Sequence, residues 1–311
     1  MMGSKHVFKL GTRKSPLALT QTAEALAALK RKFPSFKFMV VPVSTLGDEF
    51  QSVEIFKNGE EGIFTKAIEK ELLAGRIDLA VHSLKDLPTS FPKGLRLAAV
   101  LKRADTADVL ISKKRHSLES LPLGAKVGTG SLRRREQLKR LRPDLHIESL
   151  RGNLGSRIAK VLEEKRLDGV VIAAAGIGRL KRYANFAKRI PPETILPAVG
   201  QGAIALQTRS ADRTALGMAL AVNHRPTELA IRAERAFLSA LHGGCRVPIG
   251  VLTKITNGKI RIQGSVFSVH DDRSLNAVSS GSSDRPENVG RALAKKLIQK
   301  GAAKLLKQAR S

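Results

Sequence analysis

One pattern recurs through the first two thirds of the chain: an apolar strand, a turn of small residues bearing arginine, then a helix. Residues 6–11 read as a strand that runs into Thr12-Arg13-Lys14-Ser15-Pro16. There Ser15 caps a helix and Pro16 takes the first-turn position, where its missing N–H costs nothing. Lys126-Val127-Gly128-Thr129-Gly130-Ser131 passes from a strand into a helix at Leu132-Arg133-Arg134-Arg135. Strand 146–150 leads through Arg151-Gly152-Asn153 into a helix bearing Ser156, Arg157, Lys160 and Leu162. Strand 169–173 leads to the glycine-rich turn Ala174-Ala175-Gly176-Ile177-Gly178-Arg179. Strands alternating with helices predict α/β lobes, whose ligands bind beyond the carboxyl ends of the strands. Arg13, Arg133, Arg134, Arg151, Arg157 and Arg179 all stand at such ends rather than in mid-helix. Guanidinium groups grip carboxylates bidentately, so a face that collects several fits a polyanion. The turns lack the Walker lysine spacing and the spacing of a dinucleotide fingerprint, so they do not read as nucleotide cradles.

Residues 36–43 form a second strand, apolar enough to be buried on both faces. The polar stretch 45–62, with a turn at Asn58-Gly59, has the length of a functional lid. A helix follows over 64–74. Strand 77–82 then delivers Ser83-Leu84-Lys85-Asp86-Leu87-Pro88 at its carboxyl end. Strands at 95–101 and 109–112 link two lobes, and Leu196–Ala203 precedes a strand to Thr208 and a helix to about Val222. Beyond Val247 the texture becomes antiparallel: 247–255, a tight Asn257-Gly258 turn, 259–267, a strand near 275–279 and a closing helix over 287–306.

The single cysteine, Cys245, lies in Leu241-His242-Gly243-Gly244-Cys245-Arg246-Val247-Pro248. A helix precedes it, capped by Thr227 and ended by Gly243 and Gly244 in the left-handed conformation. One sulfur allows no internal disulfide and no cysteine cluster around a metal. Three readings of the thiol stay open: a small buried apolar group, a papain-like nucleophile, or an anchor that attacks an electrophile once and remains attached. The nucleophile is the weakest of them, because the negative end of a helix opposes a thiolate.

Charge narrows the partners. Lys+Arg number 55 against 27 Asp+Glu, a formal +28, which suits nucleic acid, an anionic membrane or a polycarboxylate. Aromatic content is 4% with no Trp and one Tyr, so base-stacking platforms are scarce and no specific nucleic-acid partner is expected. No apolar run approaches a membrane span, and the first residues lack a secretory core. With one cysteine, the expectation is a cytoplasmic monomer of two or three domains.

Six segments taken in order carry a resemblance. They are Gly11-Thr12-Arg13-Lys14-Ser15-Pro16-Leu17-Ala18-Leu19, His82-Ser83-Leu84-Lys85-Asp86-Leu87-Pro88, Gly128-Thr129-Gly130-Ser131-Leu132-Arg133-Arg134, Leu150-Arg151-Gly152-Asn153, Pro197-Ala198-Val199-Gly200-Gln201-Gly202-Ala203, and Glu234-Arg235-Ala236-Phe237-Leu238 with Gly243-Gly244-Cys245. Along essentially its whole length the chain resembles the hydroxymethylbilane synthase (porphobilinogen deaminase) family. The resemblance implies two periplasmic-binding-protein-like (type II) doubly wound lobes with the active cleft between them, plus a small C-terminal α+β domain. The implied domains are 1–101 with 201–222, then 102–200, then 223–311. It implies a transferase of tetrapyrrole (haem) biosynthesis. Four porphobilinogen molecules are condensed head to tail, with loss of ammonia, onto a covalent dipyrromethane cofactor held through a thioether to Cys245. The linear tetrapyrrole hydroxymethylbilane is then released by water.

By the same resemblance Asp86 is the catalytic aspartate, stabilising the azafulvene cation formed when ammonia leaves. Lys85, Ser83, Thr129, Ser131, Arg133, Arg134 and Gly152 match cofactor-binding positions. Arg13, Ser15, Phe64, Arg151, Arg157, Arg179 and Gln201 match substrate-binding positions, and no metal is implied. Each pyrrole carries an acetate and a propionate, which agrees with the arginines read from the pattern. A strong electrophile does not require an acidic thiol, so the anchor becomes the favoured reading of Cys245. Two departures stand out: Gly59-Glu60-Glu61-Gly62 reverses the charge usual in the lid, with Lys57 a possible substitute, and Gly130 replaces a more usual serine.

Overall fold

The computed structural model describes residues 7–45, 64–243 and 247–309, which resolve into two compact units. The first comprises the described residues up to Ala104 with Ala203–Glu228, and the second Asp105–Gly202 with the described residues from Leu229 on. Cys245 and the lid residues Lys57, Gly59, Glu60, Glu61 and Gly62 lie outside the described residues.

In the first unit β1 (Val7–Arg13), β2 (Lys37–Val43), β3 (Leu79–Ser83), β4 (Leu95–Val100) and the returning β10 (Ile204–Arg209) form one sheet, ordered β2-β1-β3-β10-β4. β1 runs parallel to β2 and β3, while β10 is antiparallel to both its neighbours. Side chains alternate across β3. Leu79 and Val81 pack with Ala25 and Leu29 of α1 (Pro16–Lys32) and Met218 of α6 (Arg213–Leu220), while Ala80 packs with Ile68 and Leu72 of α2 (Lys66–Leu73). A strand buried on both faces explains its unbroken apolar run. β3 starts at Leu79 rather than Ile77; just before it the Asp78 N–H donates to the Lys9 carbonyl at 2.9 Å and the Asp78 carboxylate accepts from the Lys9 N–H at 2.8 Å.

The second unit repeats the plan with β5 (Asp108–Ile111), β6 (Lys126–Thr129), β7 (His146–Ser149), β8 (Gly169–Ala173) and β9 (Ala187–Ile190), ordered β7-β6-β8-β5-β9. α3 (Leu132–Leu141), α4 (Leu154–Leu162) and α5 (Ala174–Leu180) connect and cover it. Both sheets are doubly wound lobes with one strand running against the rest. The same unit carries an antiparallel sheet of β11 (Ile249–Thr256), β12 (Lys259–Phe267) and β13 (Ser274–Ser282). Phe237 of α7 (Arg225–Ala240), Leu293 of α8 (Pro286–Gln299) and Leu305 of α9 (Ala302–Gln308) close its core, completing a small α+β domain.

Arg140 of α3 fastens this small sheet to the lobe. It donates to the carbonyls of Ser268, Asp271, Asp272 and Arg273 at 2.8–3.1 Å. β13 is an outer strand, and Lys296 of α8 and Lys300 just beyond its end donate to its Val278 and Asn276 carbonyls at 2.8 and 2.7 Å.

Several local expectations change. The glycine-rich turn at 174–179 is the helix α5, and β9 is a strand with no sequence signal, since two of its four residues, Lys188 and Arg189, are exposed. α7 begins at Arg225, not after Thr227: His224 Nδ1 accepts from the Thr227 N–H at 3.3 Å, while the Thr227 hydroxyl accepts from the Arg103 N–H at 3.1 Å. At the other end of α7 it is His242, with φ 49°, that turns left-handed. Gly243 serves a different need, since a Cβ there would run into the side chains of Leu238 and Ile249. The closing helix is two helices, α8 and α9, parted by Gly301 at φ 98°. The Asn257-Gly258 hairpin turn is present, with φ of 48° and 71°.

Candidate functional site

β1 and β3 are parallel neighbours, so their carboxyl ends bring Arg13 and Ser83 to the same edge of the first unit. Ser15 caps α1, its hydroxyl accepting from the Ala18 N–H at 3.3 Å. The Ser83 hydroxyl donates to Gln21 Oε1 of α1 at 2.9 Å. Beyond Ser83 the chain makes a single 3-10 turn, Leu84–Asp86. Leu84 is buried as its root and its N–H donates to the Ala203 carbonyl at 3.0 Å. Lys85 and Asp86 are left half-buried, and the Asp86 carboxylate has no hydrogen-bond or ion-pair partner among the described residues. The Arg13 guanidinium lies 4.0 Å above the Phe64 ring.

A buried chain backs this edge. Gln207 Nε2 donates to Glu69 Oε1 at 2.8 Å, which turns the Gln207 oxygen to His82 Nε2 at 2.9 Å. That oxygen can only accept, so His82 carries its proton on Nε2. Burial lowers the His82 pKa to about 4; the bond to Gln207 resists this and the nearby charge of Arg13 adds to it.

In the second unit β6 and β7 end in register, Thr129 beside Ser149, and the Leu150 N–H donates to the Thr129 carbonyl at 3.1 Å. This sets Thr129-Gly130-Ser131 against Leu150-Arg151-Gly152-Asn153. Asn153 caps α4, accepting from the Ser156 N–H at 2.9 Å, and Arg157 Nε donates to the Gly152 carbonyl at 2.9 Å. Arg151 is exposed and Gly152 is left-handed at φ 100°. Glycine at 130 is required here, since a Cβ would collide with the Leu150 carbonyl and lie 3.5 Å from Arg157 Nη1. Ser131 occupies the cap position of α3 without making a side-chain capping bond, and no acid stands in that first turn. The helix N-terminus therefore keeps donor capacity and a positive field for an anion. Arg179 Nη2 donates to the Gly202 carbonyl at 3.0 Å.

Arg133 and Arg134 turn inward instead. Their Nη2 atoms hold Asp108 Oδ2 and Oδ1 at 2.8 and 2.7 Å, and Arg133 also donates to the Leu196 carbonyl. Gln201 is fully buried in the same knot, its Nε2 donating to Asp108 Oδ1 at 2.9 Å and to the Thr106 carbonyl at 2.6 Å. Burial would raise the Asp108 pKa; the charges and hydrogen bonds of the two arginines overcome it and hold the pKa at about 2. Asp108 escaped the sequence reading, as did Gln21, Gln207 and Glu69. Each acts across 25 or more positions, as Arg133 to Asp108 shows, and nothing local marks such a partner.

Comparison with known proteins agrees with this geometry. The family profile described as porphobilinogen deaminase, dipyromethane cofactor binding domain, matches residues 8–216, and the C-terminal domain profile of the same enzyme matches residues 228–299. The porphobilinogen deaminase of Moorella thermoacetica is 44% identical over 303 residues, covering 97% of this chain and 96% of that protein. That of Chlorobium limicola is 45% identical over 305 residues, covering 97% of each. Among solved structures, the second substrate binding domain of a putative amino acid ABC transporter from Streptococcus pneumoniae aligns at a TM-score of 0.43 and 14% identity, over 76% of this chain and 94% of that one. Profiles that together span nearly the whole chain, and relatives this similar over their full length, place the chain in the porphobilinogen deaminase family.

Proposed function

We infer that the protein is a hydroxymethylbilane synthase, a transferase that joins four porphobilinogen molecules head to tail on a dipyrromethane primer and releases hydroxymethylbilane by hydrolysis. Within the structure, the observation that carries this reading is the carboxylate of Asp86, unpartnered among the described residues and lifted on a 3-10 turn at the edge shared by Arg13, Ser83 and Lys85. Its negative charge balances the positive charge that grows on the substrate pyrrole as ammonia departs, and its oxygens take and return protons at the pyrrole nitrogen and carbon. Arg13, Ser15, Arg151, Arg157 and Arg179 hold substrate carboxylates, Phe64 offers an apolar face to a ring, and Gln201 acts from the interior.

The residues present fit the dipyrromethane cofactor, whose acetates and propionates need donors. Ser131 makes no side-chain capping bond at the α3 N-terminus, and Gly152, left-handed at φ 100°, bears no side chain to obstruct a ligand. Thr129, Ser131, Gly152, Arg133, Arg134, Ser83 and Lys85 hold it, and Cys245 anchors it through sulfur. When bound, it supplies the free pyrrole carbon at which the chain is extended. We further propose the division 1–101 with 201–222, 102–200 and 223–311, a cytoplasmic monomer, and no specific nucleic-acid partner. No described helix is long and apolar enough to cross a membrane.

Intact mass tests the reading. Protein from cells that make porphobilinogen should exceed its sequence mass by two substrate units less two ammonias, and thiol reagents should find no free cysteine after unfolding. Cys245→Ser should lose both the added mass and the activity, an alcohol being a far poorer nucleophile. Wild-type protein at its bare sequence mass, with a titratable thiol and full activity, refutes the reading.

A further inference from the structure

Opposite the edge that bears Arg13 and Ser83, the first unit ends in a surface that the chemistry above does not use. β1 and β2 are parallel, so α1, which joins them, runs back against both and ends where β2 begins. Its 17 residues span roughly 25 Å, which carries its last turn away from Arg13 at the carboxyl end of β1. That last turn holds Lys30, Arg31 and Lys32, and Lys37 opens β2. All four are exposed, and none has a side-chain hydrogen bond or an ion pair among the described residues. From Ala25 to Thr45 the sequence holds no acid to oppose them.

Apolar side chains gather at the same place. Phe8, 2% exposed, meets Phe38 edge to face at 5.9 Å; Phe38 lies 6.5 Å from Phe36, and Phe36 lies 5.9 Å from Phe33. Phe36, at the outer end of this ladder of rings, is 42% exposed. A ring fixed to the core through its neighbours has little freedom to lose on binding. Met39 is 50% exposed. Side chains alternate along β2: Phe38 packs beneath α1 and Val41 against Ile68 and Leu72 of α2, so Met39 stands on the α2 side. β2 is an outer strand, and Phe36 and Met39 therefore flank the free edge of the described sheet.

Ordinary structural needs do not account for this arrangement. Cations in a last turn suit the helix dipole, and a lysine guards a sheet edge. Neither need calls for two large apolar side chains in water beside four unopposed cations. We propose that this end of the first unit docks on an anionic phospholipid bilayer, with Phe36 and Met39 entering the headgroup region and the cations meeting lipid phosphates and carboxylates. Charge complementarity selects an anionic surface. The apolar edge selects a bilayer over RNA, because the rings of Phe33, Phe36 and Phe38 are packed on one another and Met39 offers no face on which a base stacks. Docking there turns the Arg13 edge away from the lipid, and the inference stands independently of the function proposed above.

Co-sedimentation of the full chain with vesicles of phosphatidylcholine, with or without phosphatidylserine, tests the proposal. The protein should bind the anionic vesicles only, and more weakly as salt rises. Lys30→Gln with Lys32→Gln and Lys37→Gln should lower the partition coefficient roughly a hundredfold, each cation near an anionic surface being worth about fivefold. Met39→Ser should lower it about fivefold. Both variants alter exposed side chains and should keep the wild-type turnover and thermal midpoint. The chain has no Trp, so Phe36→Trp supplies a single reporter. Its emission should move to the blue on anionic vesicles and be quenched by lipids brominated on their acyl chains. Absence of sedimentation with anionic vesicles overturns the proposal, as does binding that the charge variant leaves unchanged. Binding with unshifted emission and an unaffected Met39→Ser overturns it too, since that is adsorption without insertion. Tighter binding to a homopolymeric RNA than to anionic vesicles, weakened by the same charge variant, would assign the surface to nucleic acid instead. Dimerisation without lipid that Met39→Ser abolishes would assign it to a second copy of the chain.

Discussion

Asp86 and His82 stand four positions apart and answer to opposite environments. Asp86 sits half-buried on its turn without a partner among the described residues, so it is placed for chemistry and contributes little to the fold. Asp86→Asn should keep the thermal midpoint and lower turnover about a hundred- to a thousand-fold, the cost of removing one preorganised charge-stabilising group. Steady-state rates beside a melting curve decide it; near-normal rates would take Asp86 out of the mechanism. His82 is a stability residue. Its folded pKa, about 4, is depressed below the ordinary 6.5, so the unfolded chain binds more protons between those values. The stability it allows is complete above pH 6.5 and is lost as pH falls toward 4, by about 3 kcal/mol in all. Denaturant melts from pH 7 to 4.5 should show that loss in wild type, and His82→Gln should flatten it. An equally steep fall in the variant would assign the acid sensitivity elsewhere.

Among the elements, those whose cause is local were legible in the sequence. Ser15-Pro16 starts α1, Asn153 starts α4, and Asn257-Gly258 turns the β11–β12 hairpin, each through a bond or backbone angle within a few residues. Elements fixed from a distance were not. β9 is held by pairing with β5, and the inward turn of Arg133 and Arg134 by Asp108, neither of which alters the local pattern. Arg140 belongs to the same class, since its helix position gives no hint that it gathers four carbonyls of the β12–β13 connection. Arg140→Ala should cost about 1–2 kcal/mol, because the charge-assisted bonds are lost and the carbonyl of the buried Ser268 is left unmet, while water reaches those of the exposed Asp271, Asp272 and Arg273. A shift in the urea midpoint measures it, and an unshifted midpoint would show that water replaces the guanidinium without loss.

At the scale of the whole molecule, the resemblance supplied the two lobes and the small domain, and the doubly wound sheets with their antiparallel returning strands bear it out. The formal charge of +28 exceeds what the carboxylate-binding arginines require, and the fold gives most of that excess no structural task. Two of the lysines do have one. A sheet edge is a template on which another chain can grow, and Lys296 and Lys300 already occupy the Val278 and Asn276 carbonyls of the outer strand β13. Lys296→Met with Lys300→Met should therefore self-associate as concentration rises, read by light scattering, while wild type remains dispersed; a dispersed double variant would remove the lysines from that task. Side chains on and just past one helix thus occupy the places that a neighbouring molecule's backbone would otherwise fill, and acylation of those two amines would reopen them without changing a single residue.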